Sequence, residues 1–166
     1  LFLKIPVGID SKLKSNRQIK LLNGNYKIDE ELSLFTVSKT NKFYSPANNA
    51  LYDKKGKDTF VHEQNLIISE NKVVVIMGCG HSGVVNIMEE AEKYQPHFCI
   101  GGFHLFNPLT KKTVSKELLN SIAMELQKYK DIEFYTCHCT GEKAYHYLSQ
   151  QMDNMNYMSC GDVIEI

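Results

Sequence analysis

The sequence predicts a layered α/β fold, classed as α+β by some schemes, and three observations carry that reading. Residues 73–77, Val-Val-Val-Ile-Met, form the short continuous apolar run of a buried strand. From there to the end, short apolar runs alternate with segments of helical spacing, a pattern whose economical packing is helices layered on a sheet. Before that point the apolar segments read as strands without intervening helices.

The elements follow in order. Residues 1–25 are basic and weakly patterned. Residues 28–37 read as a strand, with Leu32, Leu34 and Phe35 at apolar positions. Residues 38–58, rich in Asn, Lys, Ser and Gly, read as a long surface loop. A second strand over residues 60–69 closes at the turn signal Glu70-Asn71-Lys72. After the 73–77 strand and a glycine-rich turn, Val84, Ile87, Met88 and Ala91 mark one face of a helix over residues 84–94. A short strand at 98–100 precedes a helix with Ser115 as N-cap, running to about residue 129 and burying Leu118, Leu119, Ile122 and Leu126. A strand at 132–136, a helix at 142–152 and short β segments at 157–159 and 163–166 complete the chain.

Composition excludes several classes of function. With 166 residues the chain suits one domain with its own core. Nineteen basic residues balance nineteen acidic ones, which leaves no charge footprint for nucleic acid or an anionic membrane. No apolar run approaches the roughly 18 residues of a membrane span, and Leu1-Phe2-Leu3-Lys4 lacks a signal-peptide layout. Five cysteines, an odd number that all fall between residues 79 and 160, do not suggest a disulfide framework; reduced thiols in a cytoplasmic protein are expected.

The informative feature is positional. His81, His104 and His138 each lie a few residues beyond a predicted strand, flanked by glycine or another small residue. In α/β sheets ligands gather beyond the carboxyl ends of the strands, so the three imidazoles are candidates for one site. Neutral imidazole is the commonest side-chain metal ligand, and a catalytic zinc takes about three protein ligands and keeps one position open. A lone loop histidine is more often solvent-facing than ligating, and His97 and His146, which lack the pattern, are read as ordinary surface residues. Ser82-Gly83 and Thr140-Gly141 precede predicted helices, whose N-termini favour anions. These four residues are the candidate substrate-binding positions, for a phosphate or carboxylate. Cys79, Cys137 and Cys139 suggest a rival structural zinc cluster, but strand alternation through residues 137–139 would point His138 away from both neighbouring cysteines. Cys137 and Cys139 are therefore expected to be small buried residues.

Residues 75–87, containing Gly78-Cys79-Gly80-His81-Ser82-Gly83, resemble the "GCSHSGIVNI" signature of a metallo-β-lactamase-fold family, the dihydropterin-methyl ribofuranosylaminobenzene phosphate synthase-like family. Gly101-Gly102-Phe103-His104-Leu105 is similar to its "GGxHL" segment, and Thr136-Cys137-His138-Cys139-Thr140-Gly141 to its "HCTG" segment. Residues 58–66 resemble its "DxFxHExxL" stretch and residues 159–164 its terminal "GxG" strand. The resemblance covers residues 58–166 and is weak over 1–57. It implies an αββα sandwich, of which this chain is the C-terminal half with a connecting segment, so residues 1–166 make a partial domain.

The resemblance further implies that His81 and His138 ligate a divalent metal: zinc, or iron or manganese. It places His104 near the position of a bridging aspartate. This sequence has no aspartate there, which argues against a second metal, and His104 is expected to act as a catalytic proton shuttle, to bind substrate or to replace that ligand. No histidine precedes His62, so the early H-x-H-x-D-H motif is absent from the chain. Two histidines are too few for a tight zinc site, and the metal is expected to be held poorly by this stretch alone. The implied function is a fragment of a metal-dependent hydrolase acting on a phosphorylated or pterin-like small molecule. The alternative is an inactive half-domain that dimerises or binds a phosphorylated ligand. The expected partners are a small-molecule substrate and either the missing N-terminal half or a second copy, with no nucleic acid and no membrane.

Overall fold

The fold is known from a computed structural model, which describes residues 10–40 and 42–166. The basic stretch over residues 1–9 lies outside them. A one-turn helix, α1 (Ser11–Lys14), precedes strands β1 (Tyr26–Lys27), β2 (Leu32–Thr36), β3 (Gln64–Ser69) and β4 (Val73–Ile76). Then follow α2 (Val84–Ala91), β5 (Phe98–Gly101), the hairpin β6 (Phe106–Asn107) and β7 (Lys112–Thr113), α3 (Lys116–Leu126), β8 (Glu133–Thr136), α4 (Glu142–Ser149) and β9 (Met155–Tyr157).

Seven strands form one mixed sheet in the order β1-β2-β3-β4-β5-β8-β9. The first four pair as an antiparallel meander. From β4 onward every pairing is parallel. The three parallel steps run in one direction across the sheet, and right-handed crossovers then put α2, α3 and α4 on the same face.

Register explains the core. Ile67 lies opposite Val75, Val75 opposite Cys99, Cys99 opposite Phe134, and Phe134 opposite Met155. All five are buried in one row beneath the helices. The three crossover helices answer with apolar stripes: Val84, Ile87, Met88 and Ala91 on α2, Leu119, Ile122, Ala123 and Leu126 on α3, and Ala144 and Leu148 on α4. Ser115 caps α3 as expected, its Oγ accepting the Leu118 N–H at 3.3 Å. The opposite face of the sheet carries Leu34, Leu66, Ile76, Ile100 and Tyr135, all partly exposed.

Several boundaries differ from the sequence reading. Phe60 and His62 belong to a turn, not a strand, and β3 starts at Gln64. Residues 163–166 form no strand, and the β6–β7 hairpin is an addition. His97 is half-buried, and its Nδ1 accepts the Val73 N–H at 3.1 Å, so it ties β5 to β4 instead of standing free on the surface.

Phe134 has no exposed surface and sits mid-row. Phe134→Ala should cost about 3–5 kcal/mol in urea unfolding, whereas Met124→Ala, at a residue of α3 that is 68% exposed, should change stability by less than about 0.5 kcal/mol.

Candidate metal centre

Three parallel strands, β4, β5 and β8, end side by side, and their outgoing loops carry His81, His104 and His138. Two backbone bonds continue the β4–β5 contact past the strand ends: Met77 N–H to Ile100 O and Gly102 N–H to Gly78 O, both 2.9 Å. A side chain at Gly80 would lie 2.5 Å from the Gly102 carbonyl, so only glycine permits this approach.

His81 is held on several sides. Its Nδ1 lies 2.8 Å from Asn48 Oδ1. Oδ1 can only accept, so Nδ1 carries the proton and the Nε2 lone pair is free. Phe60 stacks on the ring at 4.5 Å with the planes 4° apart. The backbone N–H groups of His81 and Ser82 donate to the two oxygens of Glu63, at 2.8 and 2.7 Å. Burial lowers the pKa of His81, with His62 and His138 adding to the shift against the pull of Asp58.

His104 lies against His81, the ring centroids 4.0 Å apart. It is 8% exposed, and among the described residues neither ring nitrogen has a hydrogen-bond partner. Two orphaned buried nitrogens are costly unless something fills the space beside them. Burial, then the neighbouring His81, depresses its pKa to about 4, with Glu63 opposing. Its backbone is left-handed, φ 50°, and Ser45 Oγ pins it by donating to the His104 carbonyl at 2.6 Å.

His138 is surrounded differently. β8 ends at Thr136, and residues 138–140 turn into a 3-10 helix. Strand alternation therefore stops, and the expected divergence of His138 from the cysteines does not occur. His138 Nε2 lies 3.3 Å from Cys79 Sγ and its Nδ1 3.0 Å from Cys137 Sγ. The ligand atoms of Cys79, His138 and Cys139 all fall within 4.8 Å of one another. Cys137 and Cys139 are only partly buried, not core residues. Burial and the nearby Cys79 raise the pKa of both thiols.

The four candidate anion-binding positions have other contacts. Ser82 and Gly83 are buried at the start of α2. There the Asn86 side chain bonds both Ser82 O and Lys42 O at 2.8 Å. Thr140 is buried, its Oγ1 accepting the Phe103 N–H at 2.8 Å and bonding Thr136. Gly141 opens onto a 370 Å³ cleft shared with His138, Lys111 and Lys143. Sequence reasoning missed Asn48 and Ser45, because the 38–58 segment carries no periodic pattern. It also missed the role of Glu63, although that residue lies in a quoted motif.

The donor set fits a divalent transition metal: an oriented imidazole, a buried unsatisfied imidazole and a histidine beside thiols. Among solved structures the chain is similar to Tm1679, a metal-dependent hydrolase of the β-lactamase superfamily (TM-score 0.59, 22% identity, 84% of this chain and 54% of that one). It is also similar to the isothiocyanate hydrolase from Delia radicum gut bacteria (TM-score 0.56, 10% identity, 93% and 62%). The chain has a metallo-β-lactamase fold.

No protein-family model matches the chain. Two curated relatives come from Methanocaldococcus jannaschii. The uncharacterized protein MJ0448 is 30% identical over 96% of this chain and 61% of its own length. The 7,8-dihydropterin-6-methyl-4-(beta-D-ribofuranosyl)-aminobenzene-5'-phosphate synthase is 26% identical over 60% of this chain and 33% of its own length. That synthase carries the name of the family the motifs resemble. The chain thus spans less than two thirds of the length of each metallo-β-lactamase-fold neighbour and curated relative. Among the described residues no helix is long and apolar enough to cross a membrane.

In metal-free protein His104 should make stability depend on pH. The folded pKa, about 4, lies below the unfolded value of about 6.5. The contribution is complete above the unfolded value and is lost as pH falls toward the folded one. His104→Asn tolerates the left-handed backbone and should flatten the urea-midpoint profile across that window. Equal slopes would show that His104 is protonated in the folded state as readily as in the unfolded chain.

Proposed function

We propose that this chain forms the C-terminal half of a metallo-β-lactamase-type domain and supplies part of the centre of a metal-dependent hydrolase. The substrate class is a phosphorylated or pterin-like small molecule. The observation that carries the reading is the Asn48–His81 hydrogen bond, which leaves Nε2 as a ready ligand beside a buried, unsatisfied His104. His81 and His138 would hold the metal: zinc, iron or manganese. A metal there supplies Lewis acidity toward a phosphoryl or carbonyl oxygen.

The remaining roles belong to the chain's own groups. His104, neutral at physiological pH, accepts or passes a proton through a ring nitrogen or contacts the substrate directly. A substrate phosphate would sit in the cleft at Gly141, where Lys111, Lys143 and the N-terminus of α4 offer positive potential. Asn48 positions the His81 ring, so its loss should act through affinity.

A second reading rests on the partly exposed apolar face at Leu34, Leu66, Ile76 and Ile100. In it the chain is a non-catalytic half-domain whose face is covered by a second copy. Light scattering separates the two: a monomer at micromolar concentration counts against self-association.

The hydrolase reading is checked by zinc titration calorimetry and by chromogenic phosphate-ester turnover with metal added. With Cys79 and Cys139 both replaced by Ser, so that only the histidine site is read, Asn48→Ala should weaken zinc binding about 10–100-fold and His81→Ala at least as much. Unchanged affinity in both variants would remove His81 from the site. Binding without turnover of any ester, even by a protein carrying the complementary half, would sink the hydrolase assignment.

A further inference from the structure

We propose that Cys79, Cys139 and His138 together bind a thiophilic metal ion of the zinc class, in a site that does not require His81. This goes beyond the hydrolase reading and stands whether or not that reading holds.

Distances come first. A tetrahedral zinc with ordinary bond lengths needs sulfur and nitrogen ligands about 3.5 Å apart and two sulfurs about 3.8 Å apart. Cys79 Sγ and His138 Nε2 are 3.3 Å apart, and all three ligand atoms lie within 4.8 Å of one another. The three come from two separate loops, so sequence proximity alone does not account for the convergence.

The surroundings favour ligation as well. Cys137 Sγ lies 3.0 Å from His138 Nδ1. If that nitrogen donates to the sulfur, Nε2 becomes the acceptor facing Cys79, the arrangement that orients an imidazole for a metal. Gly102 forms the floor of the cluster. A Cβ there would collide with Cys139 Sγ and lie 2.9 Å from His138 Cε1. His138 keeps a positive φ of 22°, a conformation that needs support from its neighbours. It is also solvent-exposed, so a fourth position stays open to water or a ligand.

Two thiolates and one imidazole select zinc, cobalt(II) or iron(II) over magnesium or manganese. Both thiols release their protons to solvent as the metal binds. Because His138 serves this cluster, an ion here competes with one that draws His138 toward His81.

The probe is cobalt(II) chloride titrated into the reduced full chain. The expected result is a near-ultraviolet thiolate-to-cobalt charge-transfer band saturating at one cobalt per chain. Cys79→Ser and Cys139→Ser should lose the band, and His81→Ala should keep it. A cobalt spectrum without that band, or no cobalt binding, overturns the site. Loss of the band in His81→Ala as well would make His81 a ligand of the same ion and overturn the site's independence from it. Wild-type protein supplies a check free of folding artefacts. Zinc should slow iodoacetamide alkylation of Cys79 and Cys139 by about tenfold or more, while the exposed Cys160 reacts as before. Equal labelling of all three with and without zinc also overturns the proposal.

Discussion

Glu63 is the contact on which the centre rests. Its two oxygens accept adjacent backbone N–H groups, those of His81 and Ser82, in the turn between β4 and α2. Such charge-assisted bonds contribute about 1.5–3 kcal/mol each, and here they set the path of a loop that must also deliver an imidazole. The clamp joins the turn before β3 to the turn after β4. The start of α2 is then completed by Asn86, which bonds Lys42 in both directions. The order of dependence runs from a carboxylate, to a loop, to a ring, to a helix start.

Much of the parallel half could be read from the chain. The β-branched run at 73–77, the apolar stripe of α3 and the serine at its start are local signals, and each element formed close to where it was expected. The meeting of His81 and His104 could also be read, because parallel strands share the direction of their carboxyl ends, whereas His138, on the next such loop, makes its contacts with cysteines. The supporting residues could not. Asn48 and Ser45 act across 33 and 59 residues of chain, Asn48 through two hydrogen bonds to His81 and Ser45 through one to His104, and no periodicity announces such contacts. The thiol cluster was misread for a definite reason: alternation holds only while the strand lasts, and β8 stops one residue before Cys137.

The loops thus assemble two unlike environments beyond the carboxyl ends of β4, β5 and β8. One is deep and nitrogen-rich, with a carboxamide behind His81 and a neutral histidine beside it. The other lies nearer the surface and is sulfur-rich, with His138 between two thiols. His138 belongs by sequence motif to the first and by its contacts here to the second. A ring in that position couples the two environments, since its orientation decides which donor set is complete.

The lateral limits of the sheet have a consequence of their own. Among the described residues the outermost strands are β1, of two residues, and β9, of three. A strand that short offers too few free backbone groups to template another chain, which is one way natural sheets avoid edge-to-edge aggregation. The apolar face, by contrast, spans the middle of the sheet from Leu34 to Tyr135. A second copy, if one binds, would be favoured by these features to stack across the face, away from open-ended growth along the hydrogen-bonding direction.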